Sequence, residues 1–337
     1  MTHAPTLPVC PPLEATSLPA APPEAPVTLH PPAPLHTRVV NLGAVLIPFA
    51  GVIVAGVMAW GVALDWVSLS IMLVMYIATG LGITIGYHRL FTHKAFSTSR
   101  FMTFVWGMLG TMAAEGPVLE WVATHRCHHQ HSDSDHDPHS PHTHGDDIKG
   151  LLLGIWHSHV GWLFNSAPAD FNKYARDLQR DPIVRHLSRR FGMWFLVGLL
   201  VPAVAGGLLT MSWAGAGMGF LWGGLVRVFL VHHVTWSVNS VCHLWGSRPF
   251  ECHDESRNNP IVGVLAMGEG WHNNHHAFPA SARHGLAWWQ FDLSYVIIWA
   301  MERVGLAWDV RRPSPEIIAR RSRTNPTPNP AQTPTQA

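Results

Sequence analysis

Three imidazoles spaced i, i+3 and i+4 fall on one face of a helix, and HRCHH places His125, His128 and His129 in that spacing. Such a face can hold a metal, so the fold has to bring it together with further ligands. HNNHH repeats the pattern far along the chain with His272, His275 and His276. HRLFTH sets His88 and His93 five apart, an offset of roughly 140° on a straight helix. Those two can converge only where a helix ends or unwinds. WSVNSVCH puts Asn239 and His243 at i and i+4, on one helical face. One tetrahedral zinc uses four ligands, so this collection points to two metals.

Hydrophobic residues make up 47% of the chain, charged residues 13%, and 16 residues are tryptophan. Those values point toward a bilayer rather than a soluble domain. A formal net charge of +1 and the absence of a basic stripe argue against a nucleic-acid partner. The cysteines at 10, 127, 242 and 252 form no CxxC pair and read as reduced thiols.

Residues 1–37 are rich in proline and alanine, lack the apolar core of a secretory signal, and read as a disordered tail. The main domain is expected over 38–312, with a second disordered tail, rich in proline and threonine, over 313–337. Residues 39–64 and 66–87 each carry no charge apart from the intervening Asp65, and about 20 such residues span a bilayer. A turn at 65–68 makes these spans antiparallel neighbours. Residues 101–112 are apolar but short, as an interfacial or re-entrant helix would be.

The stretch QHSDSDHDPHSPHTHGDD reads as an exposed loop, and 149–165 as an amphipathic segment on the membrane surface. Residues 191–226 form a second apolar hairpin with the glycine-rich 212–219 as its turn. The fourth span includes Arg227 and His232-His233, which are costly there unless they meet a cavity or interface. An amphipathic, tryptophan-rich helix is expected over 286–306. The fold class is therefore all-α and membrane-integral, with four transmembrane helices in two hairpins and a helical cap holding a histidine-rich two-metal site. Arg89, Lys94, the arginines of 185–190 and those of 311–323 accompany the motifs, which makes the cap and both termini cytoplasmic.

HRLFTHKAF, EWVATHRCHH, TW-x-VNS-x-x-H and GEGWHNNHH, in this order, resemble the membrane-bound fatty acyl desaturases of the Δ9, stearoyl-CoA type. The likeness covers roughly residues 39–312. It implies two irons held by His88, His93, His125, His128, His129, His243, His272, His275 and His276, with Asn239 linked through water. It implies an apolar substrate tunnel lined near its bend by Trp121, Thr235 and Trp236. The implied reaction uses O2 and two electrons to place a cis double bond, most simply Δ9, in a saturated chain carried first of all by coenzyme A, with a lipid or a carrier protein as the alternatives. Electrons are expected from a separate donor, a ferredoxin or a b-type cytochrome with its reductase. PASARHG and the compact ends resemble bacterial members, which implies the inner membrane.

Attack on an unactivated methylene needs an oxidant that side chains cannot supply, and imidazole is a suitable iron ligand. Glu269 and Asp133 or Asp135 are placed to orient imidazole N–H groups. Arg126, Arg189 and Arg190 suit an anionic head group such as that of coenzyme A, although a positive-inside topology accounts for them equally well. His157, His159, His186 and His284 read as satisfied polar residues, and His136, His139, His142 and His144 as part of a solvated loop. Two other readings compete: a related di-iron fatty acid or alkane hydroxylase, and a non-enzymatic membrane metal-binding protein. A transporter would place its ligands at the bilayer midplane, whereas these lie at span ends.

Overall fold

The computed structural model describes residues 33–61 and 65–323, and these are mostly helical. The expected tail over 1–37 falls almost wholly outside them. Four helices are long and apolar enough to cross a membrane: Leu35–Ala59, Trp66–Thr92, Phe191–Thr210 and Trp213–Leu244.

Helix α1 (Leu35–Gly61) is followed by α2 (Trp66–Leu81), whose N-cap is Asp65, its carboxylate accepting the Ser68 N–H at 2.7 Å. The turn expected at 65–68 is thus the cap and first turn of α2. Helix α2 runs into a π-helical segment, Gly82–Thr92, and α3 (Arg100–Met112) packs directly on that segment. The two backbones approach so closely that a Cβ on Gly82 would lie 2.1 Å from the Gly110 nitrogen, a contact only glycine permits. Helix α4 (Val118–His131) then lies against the same segment. Val118, Val122, Ala123, Tyr87, Phe91, Leu187 and Val231 close one buried cluster between them, and burying each large apolar member contributes about 1.5–3 kcal/mol.

After α5 (Ile148–Trp156), α6 (Trp162–Asn165), α7 (Phe171–Tyr174) and α8 (Pro182–Arg189), the chain enters α9 (Phe191–Thr210). The glycine-rich stretch expected as a turn is helical instead. Met211, at φ 51°, makes the turn, and the Ser212 hydroxyl caps α10 (Trp213–Gly219) by accepting the Gly215 N–H at 3.0 Å. The glycines serve packing: a Cβ on Gly215 would meet the Thr210 hydroxyl at 1.8 Å, and one on Gly219 the Pro202 carbonyl at 2.1 Å. A second π-helical run, Phe220–Val226, joins α10 to α11 (Arg227–Leu244).

Arg227 is fully buried and meets carbonyls rather than a carboxylate. It donates to Gly223 O at 3.1 Å, Met112 O at 2.8 Å and Gly198 O at 2.9 Å. The last of these is the carbonyl that residue 202 would normally satisfy, and residue 202 is proline, which has no N–H. A buried cation is therefore placed where a proline and the end of α3 leave acceptors open.

The remaining helices are α12 (Pro260–Leu265), α13 (His272–Ala277), α14 (Leu293–Arg303) and α15 (Pro315–Arg321), with a two-stranded antiparallel ribbon pairing Ser97–Thr98 with Ala307–Trp308. The helix expected over 286–306 begins only at Leu293, because Asp292 caps it by accepting the Tyr295 N–H at 2.9 Å. The stretch expected as a tail from 313 carries α15, held to the body by an Arg323 N–H bond to Pro249 O at 2.9 Å.

Candidate metal centre

Nine histidines converge as two groups: His88, His93, His125, His129 and His275 in one, His128, His243, His272 and His276 in the other. The π-helical segment explains the first pair. The His93 N–H bonds to the His88 carbonyl at 3.1 Å, an i to i+5 bond, and the widened turn brings the two rings to 4.8 Å. The unwinding that HRLFTH demanded is distributed along the end of the second span.

Each triad serves both groups. On α4 the i, i+4 pair His125 and His129 faces the first group while His128 reaches the second; on α13 His272 and His276 face the second while His275 reaches the first. The reading of one triad as one metal face gives way to a bridge. The i and i+4 positions lie about 40° apart around a helix, whereas i+3 falls about 100° from i+4 and points elsewhere.

Carboxylates fix the outer nitrogens. Asp137 meets His128 Nδ1 at 2.9 Å, Asp133 meets His243 Nδ1 at 2.8 Å, Asp254 meets His276 Nδ1 at 2.7 Å, and Glu269 contacts His88 Nδ1. Each pairing holds the proton on Nδ1 and turns the Nε2 lone pair inward. Burial raises the Asp137 carboxyl, but the facing His128 imidazole outweighs it and the group stays well below the usual carboxylate range. Burial likewise raises Glu269, and His88 and Arg89 bring it below the ordinary value. Burial first, then the neighbouring imidazoles, holds His93, His125, His129, His272, His275 and His276 neutral, far below the ordinary histidine value.

Inward-facing Nε2 atoms then crowd together: His88 and His275 at 3.1 Å, His275 and His129 at 2.9 Å, His243 and His272 at 3.0 Å. Buried nitrogens of His93, His128 and His276 have no hydrogen-bond partner among the described residues. For His88 and His243, whose protons are held on Nδ1, the inward atoms are acceptors, and a cluster of acceptors is stable only around a cation. The residues present fit two metal ions, and an all-imidazole donor set suits iron as it does zinc, copper and nickel.

Of the carboxylates singled out in the sequence, Asp133 contacts His243 Nδ1 and Glu269 contacts His88 Nδ1. Asp135 is exposed in the turn after α4. The loop expected to be exposed is buried from residue 137 to 141, and the His139 ring lies tilted against His128 with centroids 4.4 Å apart, its own imidazole lowered by burial to about 3. His142 Nε2 meets the His243 carbonyl at 3.0 Å. His284, read as an ordinary polar residue, lies within ligand distance of His88 and Glu269. Asp137, Asp254 and His284 were missed; the only trace of the carboxylates was the density of Asp and His after HRCHH and in ECHDES.

Asn239 lies one turn before His243 on α11, half-buried, and its amide makes no hydrogen bond among the described residues. Trp121 stacks on His125 with centroids 5.1 Å apart, and its indole N–H donates to Glu115 at 3.0 Å; Thr235 bonds the same carboxyl. Burial pushes Glu115 up to about 7. Trp236 is buried against His232 at 4.9 Å. Arg126 is fully committed: it donates to Thr92 O at 2.9 Å, Phe91 O at 3.0 Å, Tyr174 O at 2.9 Å and Asp177 at 2.7 Å. Its guanidinium closes the end of the π-helical segment and is not free for a head group. Arg189 and Arg190 are exposed where α8 meets α9.

Four helices long and apolar enough to cross a membrane, together with a carboxylate-braced array of nine histidines that could hold metal, are the features of the histidine-box class. The family model for fatty acid desaturase matches residues 64–311, and the chain belongs to that family. It is similar to the hex-5-enoyl-[acyl-carrier protein] acetylenase of Moorena producens (strain JHB), at 44% identity over 81% of this chain and 86% of the relative. It is also similar to the sn-1 stearoyl-lipid 9-desaturase of Anabaena variabilis, at 41% over 73% of this chain and 85% of the relative. A third relative is the palmitoyl-monogalactosyldiacylglycerol delta-7 desaturase of Arabidopsis thaliana, at 41% over 74% of this chain and 64% of that protein. The chain is accordingly an oxidoreductase of fatty acyl chains, and the non-enzymatic reading falls away.

Proposed function

We propose that this chain introduces a cis double bond at Δ9 of a saturated acyl chain, using one iron in each histidine group. The balanced reaction is R–CH2–CH2–R′ + O2 + 2 e− + 2 H+ → R–CH=CH–R′ + 2 H2O. Bound iron supplies the O2 activation that an unactivated C–H bond requires. The nine imidazoles hold the metals, with Asn239 joining the second group through water. Asp133, Asp137, Asp254 and Glu269 fix the ring orientations. Trp121, held by Glu115 flush against His125, forms with Thr235 and Trp236 the wall that presents one methylene to the metals and keeps water away.

The observation that carries this reading is the pair of inward-facing nitrogen clusters with carboxylates behind them. The spans form two hairpins with the cap on the cytoplasmic side of a bacterial inner membrane, in keeping with the arginines of 185–190 and 311–323. Arg89 lends no weight to that orientation, being buried against Glu269 and Asp292. Coenzyme A was the leading carrier from sequence. The commitment of Arg126 to internal carbonyls, and the lipid-linked substrates in the names of the Anabaena and Arabidopsis relatives, favour a lipid-linked acyl chain.

The test is to express the chain in a desaturase-deficient host and localise double bonds by gas chromatography and mass spectrometry, class by class for lipid, coenzyme A and carrier-protein fractions. A cis-9 C16 or C18 acid appearing first in the lipid fraction is expected. A hydroxy acid instead would establish the hydroxylase reading.

A further inference from the structure

The reaction consumes two external electrons, and these must reach metals enclosed by buried histidines. The cap offers short approaches to the second group. Asp254, which holds His276, lies 3.9 Å from His253, whose side chain is 66% exposed. On the other side of His276, α13 ends at Ala277 and the chain continues into buried Phe278, which packs on Phe250 at 5.1 Å. Helix α15 is fastened over this segment. The Arg321 guanidinium lies 5.4 Å above the Phe278 ring and donates to the Ala277 carbonyl, and Ser322 bridges to Phe250.

The surface laid over that approach is basic. Residues 309–323 hold five arginines against two carboxylates, Asp309 and Glu316, in a chain whose net charge is only +1. Arg311, Arg320 and Arg323 are exposed and have no ion pair among the described residues. Beside them opens a cleft of about 750 Å³ lined by Leu286, Pro313, Pro315 and Ile318 together with Arg283 and Arg312. Apolar side chains mixed with arginine are the composition in which protein interfaces are enriched. One-sided charge steers a partner of opposite sign to it.

We infer that α15 and its arginines are the docking face for a small acidic one-electron carrier protein, which delivers electrons singly toward His276 through the segments at 253–254 and 277–278. The inference rests on the desaturase reading, since only that reaction calls for the electrons. A membrane surface is the weaker occupant, because the contacts that fasten α15 are to cap segments 249–250 and 277–278.

The test uses the full chain in phosphatidylcholine nanodiscs and an acidic plant-type [2Fe–2S] ferredoxin as the probe. Titration is expected to give binding that weakens as salt rises from 50 to 200 mM, as screening shortens the reach of the arginines. The triple substitution Arg311→Glu, Arg320→Glu, Arg323→Glu is expected to weaken it at least tenfold. Reversal of the exposed pair Arg176 and Arg180 should leave it unchanged. Product formed with dithionite as reductant should be the same in all three proteins. Wild-type affinity in the triple variant, equal losses in the control, or no ferredoxin binding by the parent chain would overturn the docking face. Loss confined to anionic vesicles would assign α15 to the membrane and overturn it too. Absence of a desaturated product with dithionite in the parent chain would count against the proposed reaction, while the titration still decides the docking face.

Discussion

Arg227 and Pro202 offer a measurement in which the structure sets both magnitude and sign. Arg227→Met keeps an unbranched apolar stem but removes the donors to Met112 O and Gly198 O, both buried between helices. Each orphaned carbonyl costs about 1–3 kcal/mol, so the substitution should destabilise by about 2–6 kcal/mol. Pro202→Ala restores an N–H four residues after Gly198 and lets α9 satisfy one of the two carbonyls. In the Arg227→Met background it should therefore recover about 1–3 kcal/mol, whereas in the parent chain, where Arg227 already serves that carbonyl, the gain from this bond should be absent. The assay is a double-mutant cycle of reversible unfolding in one detergent, read by tryptophan fluorescence. Additivity of the two substitutions within about 0.5 kcal/mol would refute the idea that the arginine substitutes for the missing proline N–H.

Asp254→Leu should weaken metal retention by about 10–100-fold, since it frees the His276 ring, while Asp254→Asn keeps a hydrogen-bond acceptor and should lose less; iron content after timed chelation measures both. His128→Ala or His275→Ala should abolish unsaturated product while membrane insertion stays intact, and retained product in either would remove the case for these ligands. Asn239→Ala should reduce iron loading rather than eliminate it, and loading equal to the parent would take Asn239 out of the site. Glu115 gives a pH dependence: its folded-state value of about 7 lies above the ordinary 4.5, so the folded chain holds the extra proton between those values. Stability should fall as pH rises through that window, and Glu115→Gln should flatten the fall; a melting temperature insensitive to pH in the parent would contradict the buried carboxyl.

The spans and nine histidines were legible because both are periodic: uncharged runs of membrane length, and imidazoles at helical spacing. His88 and His93 even announced the broken helix geometry that joins them. The division of each triad between two groups was hidden, since spacing gives an angle around one helix and says nothing of what stands opposite. Asp137 and Asp254 were hidden for a related reason. They lie in irregular segments whose path is set by the imidazoles they brace, and a carboxylate in an Asp- and His-rich loop looks solvated until the loop folds inward. The glycines of 212–219 were misread because glycine serves tight turns and close helix contacts alike, and only the neighbouring helix decides between them. The internal role of Arg126 was hidden because its partners are the carbonyls of residues 91, 92 and 174 and the carboxylate of Asp177, which the sequence does not mark.

The central claim is that the two histidine groups each hold one iron. Iron quantification with Mössbauer spectroscopy on the purified full chain tests it directly, alongside His93→Ala in the first group and His272→Ala in the second. Two irons per chain in nitrogen-rich sites, with each variant losing signal from its own group first, is the predicted result. A single iron per chain, or zinc retained in both groups after growth with iron in excess, would contradict the account.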